Sequence, residues 1–415
     1  MQEPSAVSHS GTQVRLDAVL SVNAGSSSLK FALYPCRGDS VSVAGLVGRA
    51  EGLEPGGRPA LVVDSTGREK IFRAISPQPG ETNFDAALRA VMGSVESVCE
   101  NHVCAVTHRI VHGGERYAAS VVVDDDVLAY LEGLAPLAPL HQPHNLAGVR
   151  AFRRAYPGLP QVACFDTAFH VGVPEVEQRF ALPDTFHAQG IRRYGFHGLS
   201  YRYVTDVLLS TAPRAAQRML LAHLGNGASL CAVQDGRSLA TTMGFSALDG
   251  LMMGTRSGTL DPGVLLHWMR QGIDVATIEE LLYRQSGLLG VSGLSADMRT
   301  LRASAAPGAA WAIELFTYRV VRECGALSAC LGGVDLLGFT GGIGEHDALL
   351  RVDVCAALAY LGVRVDAGAN EAADGSATVP IHAPGSRVEV WVVPTDEGRT
   401  AAREAQALIS ARAAS

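Results

Sequence analysis

The chain has 415 residues, 47% of them apolar and 18% charged. Single hydrophobic cores stop growing at about 250–300 residues, so two domains are expected. A formal net charge of -7 argues against a broad nucleic-acid-binding face, and no apolar run reaches the ~18 residues of a membrane span.

Residues 1–15 are polar before the first apolar run, so they read as a disordered extension and not as a signal peptide. The expected location is cytoplasmic. Residues 16–22 read as a buried strand. It breaks at Asn23-Ala24-Gly25-Ser26-Ser27-Ser28 and resumes at Leu29-Lys30-Phe31: strand, tight turn, strand. The turn offers backbone N–H groups, three hydroxyls and an amide without bulk, and Gly25 permits positive φ. It is a candidate phosphate cradle, with an ordinary polar hairpin as the plain alternative. Residues 82–99 have helical spacing, with Phe84, Leu88, Val91, Met92 and Val95 on one face. A short buried strand at 103–107 leads into His108-Arg109-Ile110-Val111-His112-Gly113-Gly114. Residues 121–134 open a strand–helix unit, and 135–143 form a proline-punctuated loop.

A strand at 161–165 ends at Asp166, where the domain boundary is placed. Residues 219–224, the turn Gly225-Asn226-Gly227-Ala228-Ser229 and residues 230–234 repeat the opening strand–turn–strand unit. Residues 334–339 form a strand feeding Thr340-Gly341-Gly342-Ile343-Gly344-Glu345, and 388–393 a strand ending at Pro394-Thr395-Asp396-Glu397. Residues 398–414 read as a closing helix capped by Thr395. Alternating strands and helices indicate an α/β protein. Two like turns, one in each half, suggest duplicated lobes with a nucleotide in the cleft between them. The eight cysteines include no Cys-x-x-Cys pair and read as small buried hydrophobes of a reducing compartment.

In order along the chain, these motifs, with Phe165-Asp166-Thr167-Ala168-Phe169-His170, Tyr194-Gly195-Phe196-His197-Gly198, His223-Leu224-Gly225-Asn226-Gly227 and Met253-Gly254-Thr255-Arg256-Ser257-Gly258, are similar to those of a known family. The chain resembles the acetate kinases and their relatives, the propionate and butyrate kinases, of the acetate and sugar kinase, heat-shock chaperone and actin superfamily. The resemblance runs from about Val19 to the final helix. It implies two similar actin-like (ribonuclease H-like) lobes with mixed sheets flanked by helices and the active site in the cleft between them. The first lobe would be 16–165 plus 397–415, and the nucleotide-binding lobe 166–396. It further implies reversible phosphoryl transfer between ATP and acetate, Mg2+ (with Mn2+ able to substitute) and a homodimer, with no membrane or nucleic-acid partner.

Phosphoryl transfer needs positioning and charge neutralisation more than covalent chemistry. A short carboxylic acid, with a pKa near the ~4.3 of Glu, is already ionised at neutral pH and needs no strong base. Cations are needed instead, and Arg109 and Arg256 suit bidentate contact with carboxylate and phosphate. The resemblance assigns both to the acyl carboxylate and the transferring group. It has His197 donating to the phosphoryl oxygens, assisted by His141, and Asn226 holding a phosphate. Asn23, Lys30, His223, Gly225, Gly227, Gly341, Gly342, Ile343, Gly344 and Glu345 would face the nucleotide. Asp166 and Glu397 would hold magnesium, partly through water and with Asn23 close by, and Asp396 is a substitute. Val111, Leu140, Phe196 and Ala247 would wall the acyl group.

The chain departs from the family pattern at several places. Phe245-Ser246-Ala247-Leu248-Asp249 replaces a segment with Thr-Pro, and Ala247 would leave more room in the acyl pocket. Gln142, Thr259 and His346 replace the usual Asn, Asp and Asn, and His346 bears on strict ATP preference. Acetate is expected to be best, with propionate tolerated. The alternatives are a propionate or butyrate kinase, a non-catalytic nucleotide switch, and a zinc site built on His108/His112 or His141/His144.

Overall fold

The computed structural model describes residues 17–65, 70–98, 102–139 and 141–413. The expectations for residues 1–15 and for Leu140 lie outside the described residues.

Among the described residues two sheets form, of nine and six strands. In the first, Asp17–Ala24 lies antiparallel to Ser28–Arg37 and parallel to His102–Ile110, which runs parallel to Gln161–Phe165. In the second, Arg218–Leu224 lies antiparallel to Ala228–Gln234 and parallel to Leu336–Thr340, which runs parallel to Glu389–Val392. The same order and directions occur twice, so the architecture is duplicated, as the two strand–turn–strand units suggested. The parallel strands Gln161–Phe165 and Leu336–Thr340 are buried along their whole length. Helices cover both faces of such strands, which explains their continuous runs of small and apolar residues.

The helix Asn83–Val98 buries Ala86, Leu88, Val91, Met92 and Val95 against Leu20, Val22, Leu29 and Phe31 of the first sheet. Pro307–Cys330 does the same for the second sheet with Ala309, Ala312, Ile313, Phe316, Val320 and Cys324, a spacing of three or four residues. Each such large side chain contributes about 1.5–3 kcal/mol when fully buried. The closing helix Glu397–Ala413 returns to the first sheet. Its small face, Ala401, Ala402 and Ala405, packs on Val19, Tyr34, Ala105 and Cys164.

Three local expectations need correction. The closing helix is capped by Asp396, whose carboxylate accepts from Arg399 N at 3.0 Å and from the Tyr34 hydroxyl at 2.6 Å. The Thr395 hydroxyl is engaged with Ser200 at 2.8 Å instead. The loop expected over 135–143 already gives way at Gln142–Ala155 to a helix, because Pro143 sits in its first turn where a missing N–H costs nothing. Gly25 is absent from the positive-φ residues. Its N–H closes the turn onto Ser28 O at 2.8 Å in an ordinary backbone conformation.

Candidate active site

Both strand–turn–strand units end at the cleft. The first turn carries Asn23, paired in register with Lys30, and these two line a cavity of about 170 Å3 with Arg109 and Glu397. Arg109 leaves the end of His102–Ile110, and Asp166 follows the adjacent parallel strand, so the sheet brings them side by side. The Arg109 guanidinium grips Asp166 with Nε at 2.9 Å and Nη2 at 2.8 Å, and reaches Glu397 with Nη1 at 3.2 Å. Burial opposes the charge on Arg109, but the two carboxylates outweigh it and push its pKa up. One cation thus spans two carboxylates far apart in the chain. Those hard oxygen ligands, with the Asn23 amide near, fit a divalent cation such as Mg2+.

Arg256 is in the opposite state. Its Nη1 donates to Ala247 O at 2.7 Å, and among the described residues no carboxylate pairs with it. Burial pushes its pKa down, with Arg109 adding to that and Tyr283 opposing it. Gly227 shows why the second turn must be small. A Cβ there would lie 3.2 Å from His197 Nε2 and 3.4 Å from Arg256 Nη2. Both donors therefore converge on the turn. The neighbouring residue Asn226 fits against Gly254, whose N–H donates to Asn226 O at 2.9 Å. At Gly254 a Cβ would collide with the Asn226 amide.

His197 adopts φ 59°, a left-handed conformation for a non-glycine residue, just before the helix Gly198–Thr211. Such backbone strain is characteristic of functional positions. Its Nδ1 meets Ser229 Oγ at 2.9 Å, and Ser229 meets the Tyr201 hydroxyl at 2.5 Å. A chain in which Tyr201 donates to Ser229 and Ser229 donates to Nδ1 would leave Nε2 carrying the hydrogen that faces Gly227. The ring stacks on His223 with centroids 4.3 Å apart. Burial, then His223 and the two arginines, hold His197 well below the usual histidine range, so it is a neutral donor at pH 7. Burial likewise lowers His223 to about 4, and its Nδ1 is held by Ser200 at 2.8 Å. His141 precedes the helix Gln142–Ala155 and is lowered by burial, Arg256 and Arg109. It lines a small cavity with Val111, Phe196 and Ala247.

A larger cavity, about 930 Å3, opens beside the second turn. Gly225, Asn226, Gly342, Ile343 and His346 line it. Gly341, Gly344 and Glu345 do not. Glu345 instead turns inward and accepts from Gly341 N at 2.8 Å and Thr395 N at 3.0 Å, tying the loop to the last strand's exit. His223, Gly227 and Lys30 are also off this lining. Sequence reasoning missed its other wall, Ala296 to Met298 with Arg299, Arg302 and Leu349. No glycine-flanked motif marks that wall. It also missed two positioning residues. Asn145 accepts from Val111 N at 3.1 Å and donates to Ala24 O at 2.7 Å, joining the first turn to Val111. Fully buried Arg351 donates to Gly344 O, Glu345 O, Asn370 and Ala373 O, fixing the loop from below.

The departures are absorbed locally. Gln142 Oε1 accepts from His112 N and its amide donates to His112 O and Leu131 O. Thr259 donates to Asp249 at 2.8 Å. His108 is bonded to Gln161 at 2.6 Å, and His112 Nδ1 accepts from Gly114 N at 2.9 Å, so the two histidines serve separate local contacts.

Two like lobes with small turns facing a cleft rich in cations define the two-lobed class of phosphoryl-transfer enzymes. The model of the acetokinase family matches residues 18–403. An acetate kinase of Rhodopseudomonas palustris is 49% identical over 93% of this chain and 97% of its own length. One of Methylocella silvestris is 47% identical over 95% and 99%. Among solved structures, Porphyromonas gingivalis acetate kinase superimposes with a TM-score of 0.85 at 37% identity, covering 95% of this chain and all of that one. A propionate kinase from Francisella tularensis gives 0.85 at 34% identity, covering 94% and 99%. The chain belongs to the acetokinase family.

Proposed function

We propose that the chain catalyses ATP + acetate = ADP + acetyl phosphate, reversibly and by direct in-line transfer. The full-length similarity to acetate kinases supports this. The observation that carries the chemistry is the half-buried Arg256, with no carboxylate partner among the described residues, converging with His197 Nε2 on Gly227. The acetate carboxylate, already ionised, forms an O–P bond to the γ-phosphorus as the bond to the ADP oxygen breaks, so no proton needs to move. Arg256 and His197 donate to the equatorial oxygens, where negative charge is spread in the transition state. A neutral His197 does this without repelling the arginines. Arg109 holds the acyl carboxylate on the opposite side, with His141 assisting. Asn226 and Gly225 meet the phosphates from the second lobe, and Asn23 and Lys30 from the first. The cavity between Gly342–Ile343 and Arg302 takes the nucleoside. Asp166 and Glu397, with Asn23 near, would hold Mg2+, which when bound neutralises charge on the β- and γ-phosphates.

We further take the first lobe as 16–165 plus 397–415 and the second as 166–396, and the protein as a cytoplasmic homodimer, which light scattering on purified protein tests. Incubation with ATP, Mg2+, acetate and hydroxylamine should yield acetyl hydroxamate. No hydroxamate from acetate, propionate or butyrate would remove the kinase reading and favour the nucleotide switch.

A further inference from the structure

The room expected beside Ala247 is bounded by a residue that belongs to none of the motifs. Tyr283 lines the same small cavity as Val111, His141, Phe196, Ser246 and Ala247. That cavity measures about 10 Å3, near the minimum that admits a single water. Tyr283 is the penultimate residue of the helix Val275–Arg284. The helix end is fastened to the loop that carries Arg256. Thr255 Oγ1 donates to Tyr283 O at 2.8 Å, and Ser257 N donates to Leu282 O at 3.1 Å. From the other side, Ser286 N donates to Thr255 O at 3.0 Å and Ser286 Oγ donates to Leu281 O at 2.7 Å. Arg256 in turn holds Ala247 O at 2.7 Å. One loop therefore fixes the Ala247 carbonyl, the Tyr283 backbone and the cation together. The Tyr283 backbone is thereby held in a fixed relation to the loop that carries Arg256.

From this geometry we infer that Tyr283 is the specificity-determining wall of the acyl pocket, occupying the side that Ala247 leaves open and restricting the carboxylate to acetate's single methyl group. The inference rests on the acyl-kinase reading. A small residue at 247 would by itself favour longer acids. A large, partly buried ring across the same cavity reverses that preference, because each added methylene would have to displace it.

The test compares kcat/KM for acetate, propionate and butyrate, by hydroxamate trapping, in the wild type, Tyr283→Ala, Tyr283→Leu and Tyr283→Phe. Discrimination per methylene in an apolar pocket is about 10–200-fold, so Tyr283→Ala should raise the butyrate-to-acetate ratio at least ~10-fold. Tyr283→Leu should shift it less in the same direction. Tyr283→Phe, which keeps the ring, should leave the ratio within about twofold. An unchanged ratio in a folded Ala variant overturns the inference. So does a Phe variant that shifts as far as Ala, or a folded Ala variant inactive on all three acids, since a wall takes no part in the chemistry. If the Ala variant does not fold, the Leu variant decides by the same ratio. Wild-type inactivity on all three acids is a separate result and removes the kinase reading before any variant is made.

Discussion

Replacing Ser229 by alanine tests whether His197 acts as an oriented neutral donor. The serine hydroxyl lies 2.9 Å from His197 Nδ1 and 2.5 Å from the Tyr201 hydroxyl, and all three groups are buried. Without it, nothing fixes the imidazole hydrogen on Nε2, and the two neutral tautomers compete. The lost preference is that of one net hydrogen bond, ~1 kcal/mol, which converts to a fall in kcat of about 5–10-fold. Removing the donor altogether, as in His197→Ala, should cost on the order of 100–1,000-fold. Because Ser229 acts only through His197, the double variant should be no slower than His197→Ala alone. The KM for ATP should stay near that of the wild type in all three, since neither residue lines the nucleotide cavity. The stranded Tyr201 hydroxyl should lower stability by roughly 1–3 kcal/mol, read by urea unfolding. Wild-type kcat in a folded Ser229→Ala variant, or additive losses in the double variant, would show that the relay does not set the histidine's hydrogen.

Three further outcomes follow from the same geometry. Arg256→Ala should lower kcat by about 100-fold or more while ADP affinity, measured by titration calorimetry, holds, because Arg256 is off the nucleotide lining; equal losses in both would place the arginine at the nucleotide. Gly227→Ala puts a methyl 3.2 Å from His197 Nε2, so kcat should fall with little change in the melting temperature; an unimpaired kcat counts against convergence on this turn. Stability should fall as pH drops from about 6.5 towards 4, because burial holds His108, His112 and His170 near pKa 4. The folded pKa is depressed, so the stabilisation is complete above the unfolded value, and each histidine removes up to ~1.4 kcal/mol per pH unit within that window. Urea midpoints that stay flat from pH 7 to 4.5 would contradict this.

Legibility in the sequence followed locality. The two strand–turn–strand units announce themselves because strand, turn and strand are contiguous, and Gly225-Asn226-Gly227 admits little else. Arg109, Asp166, His197 and Arg256 stand at strand ends or among glycines, so their positions near a cleft could be inferred one at a time. What stayed hidden depends on partners far away in the chain. Glu397 is expected beside Asp166, but its ion pair with Arg109, across 288 positions, forms only because the closing helix returns to the first sheet. The wall around Arg302 proposed for the nucleotide, and Tyr283 beside the small cavity, lie on helices whose residue types carry no signal. Asp396 and Thr395 both suit a helix cap, and tertiary bonds to Tyr34 and Ser200 decide between them.

The duplication also explains how one fold opposes two different charge environments. Each lobe presents an asparagine-bearing turn at the end of its central hairpin, yet the turns face different surroundings. Asn23 shares its cavity with Glu397 and Arg109, which Glu397 and Asp166 neutralise. Asn226 stands beside Arg256, which no carboxylate among the described residues neutralises, and a histidine kept uncharged by burial. The first side is therefore suited to a cation carried on the phosphates, the second to the phosphoryl group itself. Placing a carboxylate beside Arg256 would satisfy the arginine and stabilise the resting cleft, but it would cancel a charge that the proposed transition state draws on. The half-buried arginine, without a carboxylate partner among the described residues, is a cost to folding that Arg109 does not carry. On the proposed reading, that asymmetry, more than either turn, suits a pair of like lobes to phosphoryl transfer.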